Sequence, residues 1–268
     1  MIMKHALGMS LCLAAFACQA ANAEDYAAVL RNADATEQRI HEAATNGHSP
    51  AAMYAIGVML DEGLGRPIDT SQAFRWYQLA AGFGHAEAMN RIGNLYAQAR
   101  GMPQDYVAAL EWYRRAAARG SLGAVTNLAT LYFYGLAVPQ DYHKAAALLR
   151  SAARRGDLAA ENQLGALYEG GFGVGRNPSR AKKLYLQAAQ QGYTPAMVNL
   201  GLLYIEAVGT RRDDVEGYAL VAAAVQIGIP EAMTRLASDE LDQASVRLDE
   251  QGLAKARVLA RNLVAHAP

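Results

Sequence analysis

Cysteine is almost missing from this sequence. Among 268 residues there are two, Cys12 and Cys18, both close to the N-terminus. Beyond them a disulfide framework, a thiolate metal site and a cysteine nucleophile are all excluded. Charge of one sign is missing too: 25 Lys and Arg balance 25 Asp and Glu, and the sequence pI is about 7.0. Nothing in the bulk charge draws the chain to nucleic acid or anionic lipid, so nucleic acid is not an expected partner. After the leader no apolar run is long enough to cross a bilayer, so no integral membrane segment is expected there. The 52% hydrophobic content is rich in alanine and reads as closely packed helix. Also lacking are HExxH, GxSxG and a Walker loop, and the six histidines, His5, His41, His48, His85, His143 and His266, are scattered. Neither a metal nor a cofactor is expected.

The first 23 residues have the grammar of a secretory signal peptide. Lys4 and His5 open it, Ala6 to Ala17 is mostly apolar, and Ala21-Asn22-Ala23 precedes Glu24-Asp25 as an A-x-A site. Cleavage after Ala23 predicts an exported, periplasmic or secreted protein. The alternative is lipid attachment at Cys18, although Ala15-Phe16-Ala17 lacks the usual leucine of a lipobox.

What the chain does have is a period of 36 residues. Glycine recurs at 84, 120, 156, 192 and 228, and alanine at 52, 88, 124, 160, 196 and 232. Ile56, Ile92, Leu128, Leu164, Leu200 and Leu236 share a third register, and Tyr96, Tyr132, Tyr168 and Tyr204 a fourth. A period of this size denotes stacked supersecondary units. Five are read, at 48–83, 84–119, 120–155, 156–191 and 192–228. Residues 24–47 form an N-terminal capping helix, and residues 229–268 a degenerate sixth unit with a helical cap.

Each unit predicts two helices. The first spans about 50–62 in the first unit, with Ala52, Ile56, Met59 and Leu60 at helical spacing. Gly57, Gly93, Gly165 and Gly201 stand beside the large aliphatic residue, where the missing side chain lets a neighbouring helix approach. A connector with glycine and proline then stops the helix. Asp69, Asp105, Asp141, Asn177 and Asp213 are placed to cap the second helix. In the fifth unit Arg211, Gly217 and Leu220-Val221 replace proline, alanine and the aromatic pair, which predicts looser packing.

The registers of Ala88, Ile92, Gly93, Leu95, Tyr96, Gly101, Pro103, Asp105, Ala109, Trp112, Tyr113, Ala116, Ala117 and Gly120 resemble the Sel-one-like repeat, a relative of the tetratricopeptide repeat. The resemblance covers about residues 48–228. It implies an all-α, right-handed α-solenoid of helix-turn-helix units. It also implies a non-enzymatic scaffold of the bacterial cell envelope that binds a protein or extended peptide of unknown identity on its concave face. A structural spacer within an envelope complex is a second possibility.

A hydrolase acting on cell-wall or β-lactam substrates is the enzymatic alternative. Ser179-Arg180-Ala181-Lys182 matches S-x-x-K, but the companion KTG and SDN motifs are missing. Secreted family members described as penicillin-binding or β-lactamase-like resemble disulfide-stapled arrays, which a chain without cysteine beyond residue 18 does not match. The glycine-rich Glu169 to Arg176 falls in the ordinary connector register and reads as a turn rather than a phosphate loop.

By analogy with tetratricopeptide helices, the inward positions include Asn90 and Asn94, Thr126 and Thr130, and Phe133 and Tyr134. Each of the first two pairs is four residues apart and shares a helix face. Amides and hydroxyls both donate and accept, which suits an extended peptide backbone. These six are the candidate partner-binding residues. The competing reading packs them against adjacent repeats. For Val198, Leu202 and Ile205, further inward positions, it is cover by the C-terminal cap.

Overall fold

A computed structural model of the chain describes residues 41–267. The leader, both cysteines and most of the N-terminal cap lie outside the described residues. The described part is helical, without a strand, and divides into two compact units at Gln140 and Asp141.

The first unit begins with helix at residues 41–45 and continues through α1 (Pro50–Glu62), α2 (Thr70–Gly82), α3 (Ala86–Ala97), α4 (Tyr106–Ala118) and α5 (Leu122–Tyr134). The second comprises α6 (Tyr142–Ala153), α7 (Leu158–Gly170), α8 (Pro178–Gln190), α9 (Thr194–Glu206), α10 (Asp214–Ile227), α11 (Glu231–Arg247) and α12 (Glu250–Ala265). Within each unit consecutive helices pack on one another, except that α12 folds back onto α10 instead of packing on α11.

The hairpins owe their shape to recurring polar groups. Asp69 Oδ1 accepts the Gln72 N–H at 2.8 Å, Asp105 Oδ1 those of Val107 and Ala108 at 2.9 Å, and Asp141 Oδ1 that of Lys144 at 2.8 Å. Asn177 and Asp213 do the same for α8 and α10. These side chains satisfy N–H groups that a helix start leaves unpaired. The capping residue's own N–H closes the connector, with Asp69 donating to Leu60, Asp105 to Tyr96, Asn177 to Tyr168 and Asp213 to Tyr204. One polar residue therefore fixes both the start of the second helix and its return path.

The helix stops differ in part from the glycine rule. Gly63, Gly135 and Gly171 take the left-handed conformation after α1, α5 and α7. After α3 and α9 the left-handed residues are Ala99 (φ 56°) and Ala207 (φ 59°). The connector's closing hydrogen bonds hold these alanines in a region that usually favours glycine.

The core of three hairpins is built on contact between a glycine and a tyrosine. Tyr77, Tyr113 and Tyr185 are buried, and their rings press against Gly57, Gly93 and Gly165. A Cβ on Gly93 would come within 2.5 Å of the Tyr113 ring. Burial pushes the Tyr77 and Tyr113 hydroxyls above the ordinary phenol range, so both stay neutral.

The fifth repeat is not loosely packed, contrary to the expectation from its substitutions. A Cβ on Gly201 would lie 2.8 Å from the Gly217 carbonyl oxygen, and one on Gly217 would lie 2.8 Å from that of Gly201. Losing both side chains lets the α9 and α10 backbones touch, while Leu220 and Val221 fill the place of the aromatic pair and are buried. Val198 packs with Met197, Ala219, Ala223, Met233 and Ala260, and Ile205 with Val221, Ala237 and Ala244. The apolar inward positions of this repeat are thus covered by α10, α11 and α12.

Candidate functional site

The six candidate residues all lie in the first unit, on α3 and α5. Asn90, Asn94, Thr126 and Thr130 are 3, 8, 0 and 4% exposed. Their polar groups serve the repeat itself. Asn127 Nδ2 donates to Asn90 Oδ1 and to Asn94 Oδ1, each at 2.9 Å, and the Tyr113 hydroxyl donates to Asn94 Oδ1 at 2.9 Å. Asn127 on α5 thereby bridges two consecutive turns of α3 and fixes the register between neighbouring repeats. A second bond of this kind, Asn199 Nδ2 to Asn162 Oδ1 at 2.8 Å, joins α9 to α7. Thr130 Oγ1 donates back to the Thr126 carbonyl at 3.2 Å. Thr126 Oγ1 is buried with no hydrogen-bond partner among the described residues.

Phe133 and Tyr134 are placed differently. They end α5 as an edge-to-face pair with centroids 4.8 Å apart, and both remain half-buried. Leu128 and Leu131 of the same helix are buried. Four of the six candidate side chains are thus enclosed, and only the aromatic pair is left partly open. Sequence reasoning passed over Asn127, which is one residue outside the shared face yet is the donor that gathers the amides.

Polar pairing continues across α1 and α3. Arg91 Nη2 meets Glu62 Oε1 at 2.9 Å. Arg100 Nη2 lies 2.9 Å from Asp61 Oδ1 and donates to the Asp61 carbonyl at 2.9 Å. Tyr77 Oη donates to Asp61 Oδ2 at 3.4 Å. Burial raises the Asp61 carboxyl above its ordinary value, and Arg100 and Arg91 pull it back only in part. His85 caps α3, its Nδ1 accepting from Ala88 N at 3.2 Å while the ring stacks on Tyr54.

Ser179 stands exposed in the first turn of α8. Lys182 Nζ donates to Thr210 Oγ1 at 3.0 Å and lies 4.5 Å over the Tyr204 ring. The lysine is therefore engaged with the next repeat. Gly171 and Gly173 carry the glycine-rich connector, the latter pressed onto the Tyr142 backbone with its carbonyl oxygen 3.1 Å from His143 Nδ1. Among the described residues no three His, Cys, Asp or Glu side chains converge as for a metal, and no helix is long and apolar enough to cross a membrane.

The Sel1 repeat model matches five times, at residues 50–82, 86–121, 123–157, 158–193 and 194–226. The chain belongs to the Sel1 repeat family. Repeats of this family are commonly protein-interaction scaffolds and generally non-catalytic. Among curated proteins, no relative matches the sequence. Among solved structures, the chain is 32% identical to a Sel1 repeat protein from Oxalobacter formigenes, with a TM-score of 0.62, covering 80% of this chain and 88% of that one. It is 26% identical to c5321, a protective antigen of uropathogenic Escherichia coli strains displaying an SLR fold, with a TM-score of 0.70. That match covers 86% of this chain and 48% of c5321, so the chain spans about half of that protein. Immunity protein Pa5087 from Pseudomonas aeruginosa is similar in fold, at 20% identity and a TM-score of 0.53, covering 81% of this chain and 83% of that one. These matches identify the all-helical chain as an α-solenoid of Sel1 repeats.

Proposed function

We propose that this Sel1 repeat protein is a non-enzymatic scaffold that holds a protein or extended peptide on the wall formed by its first helices. The observation that carries the reading is the Phe133–Tyr134 pair, half-buried at the end of α5 beside a fully buried leucine core. Partly exposed aromatic surface of this kind supplies contact area at little conformational cost, and such residues dominate interface energetics. In this reading Asn90, Asn94 and Asn127 keep the wall rigid, and Phe133 and Tyr134 touch the partner. A prebuilt wall lowers the ordering cost of binding. In this reading the role belongs to the bacterial envelope, in the periplasm or outside it, which the signal-like leader supports.

The test is site-specific photo-cross-linking in the native compartment. A photoreactive phenylalanine at Tyr134 is expected to yield a discrete adduct, while the same probe at exposed Glu111 on α4 yields none. Adducts from position 111 alone, or from neither position, would remove the wall from consideration. Export is checked by the N-terminus of the mature protein, which is expected at Glu24.

A further inference from the structure

Charge is unevenly distributed along this neutral chain. Residues 41–140 hold seven Lys and Arg against seven Asp and Glu, whereas residues 141–191 hold eight against four. The four acids of that stretch are engaged or turned inward. Asp141 and Asp157 cap α6 and α7, Glu169 accepts from the Tyr185 hydroxyl at 2.9 Å, and Glu161 has a buried carboxylate oxygen. The outward surface of α6 and α8 is therefore cationic. Arg150, Arg154, Arg180 and Lys183 are all exposed there.

Two of these cations converge. Arg180 Nη1 from α8 donates to the Tyr168 hydroxyl at the end of α7 at 3.3 Å, and Arg150 from α6 acts on the same hydroxyl as a second positive charge. The Arg180 guanidinium also lies 5.4 Å from the Tyr168 ring centroid. Among the described residues neither arginine has a carboxylate partner. The phenol oxygen takes one N–H from the Arg180 guanidinium, which carries five. Both arginines are exposed and both act on Tyr168, so two positive charges meet at one hydroxyl with donors to spare. The two cations draw the Tyr168 hydroxyl below the ordinary phenol range. An anion seated between them would relieve the like-charge repulsion and receive charge-assisted hydrogen bonds from both sides.

We infer that Arg150, Tyr168 and Arg180 form an anion subsite on the α6–α8 face that takes side-chain carboxylates of an acidic, extended segment of a protein partner. Guanidiniums match carboxylates in bidentate geometry. Arg154, one helical turn beyond Arg150, and Lys183, one turn beyond Arg180, extend the cationic track along both helices. A track this narrow, held between two helices, suits a chain of carboxylates better than a flat bilayer surface. The inference rests on the chain being a protein-binding scaffold but not on the Phe133–Tyr134 wall, which lies in the other unit.

The experiment uses the full mature chain and a fluorescein-labelled peptide of alternating glutamate and serine, followed by anisotropy at low ionic strength. Binding is expected, with added salt weakening it. Arg150→Gln/Arg180→Gln is expected to weaken it roughly tenfold, and Tyr168→Phe, which lets the guanidiniums spread, about threefold. Arg114→Gln/Arg115→Gln removes the same charge from α4 and should leave binding unchanged. Equal loss in both double variants, no loss in the first, or no binding by the wild type would overturn the assignment. Arginine-dependent binding to phosphatidylglycerol vesicles without peptide binding would overturn it in favour of a membrane surface. All the substituted arginines are exposed, and unchanged thermal melting confirms that each variant is folded. Failure here with a Tyr134 adduct intact would leave the scaffold reading standing.

Discussion

Replacing Gly93 with alanine tests the glycine–tyrosine packing that recurs in three of the hairpins. A Cβ at this position would lie 2.5 and 2.6 Å from two carbons of the Tyr113 ring and 3.1 Å from a third. Ordinary contact begins near 3.4 Å, so the ring must move by about 1 Å or the helices must part. The ring is fully buried, and its hydroxyl is committed to Asn94 Oδ1 at 2.9 Å. Overpacking costs about 1–3 kcal/mol, and loss of the hydrogen bond adds about 0.5–1.5 kcal/mol. Alanine returns about 0.5–1 kcal/mol through its better helix propensity. The net expectation for Gly93→Ala is a loss of about 1–3 kcal/mol, or roughly 2–12 °C in melting temperature for a chain of this size. Gly82 is the internal control. It also lies in a helix, but a Cβ there would meet nothing within 4 Å, so Gly82→Ala should gain about 0.4–1 kcal/mol. Urea unfolding followed by circular dichroism compares the two, and hydrogen exchange in α3 and α4 localises the loss. In a Tyr113→Leu background, Gly93→Ala should lose most of its penalty. A Gly93→Ala protein as stable as Gly82→Ala, or an unchanged penalty without the ring, would refute the reasoning.

Three further outcomes follow from the polar groups. Asn127→Ala strips Asn90 Oδ1 of its Asn127 donor and removes one of two from Asn94 Oδ1, so it should cost about 1–3 kcal/mol in urea unfolding, more than truncation of any exposed polar residue. Thr126→Val replaces a buried, unpartnered hydroxyl by a methyl group of similar shape and should leave stability equal or raised by up to about 1 kcal/mol; a loss above that would show the hydroxyl to be satisfied. The Asp61 carboxyl titrates above its unfolded value because of burial. The folded state then holds its proton more tightly, so this group favours folding most below the ordinary aspartate value of 3.8, and that contribution is lost as pH rises through the folded pKa. Asp61→Asn should flatten this part of the stability–pH curve in urea titrations, and an unchanged slope would exclude Asp61 as its source.

The candidate site was legible only in part. Residue type placed Asn90, Asn94, Thr126 and Thr130 correctly on α3 and α5, because a 36-residue period and helical spacing are one-dimensional quantities. The partners of the two asparagines depend on where Asn127 arrives from the next repeat, and spacing along the chain does not encode that. The Gly201–Gly217 contact was hidden for a related reason. Each glycine read singly suggests a gap, and only the two together allow the backbones to meet. The convergence of Arg150 and Arg180 on Tyr168 likewise joins three helices separated by connectors.

The order of elements, the capping residues and the family were determined by the sequence alone, because each unit repeats a local code of caps, turns and apolar spacing. Which polar residues are enclosed, and which cations stand without a carboxylate beside them, was decided only by the tertiary structure. Burial and charge pairing are properties of surfaces brought together from different repeats, and a small rotation between neighbouring hairpins is enough to exchange one for the other.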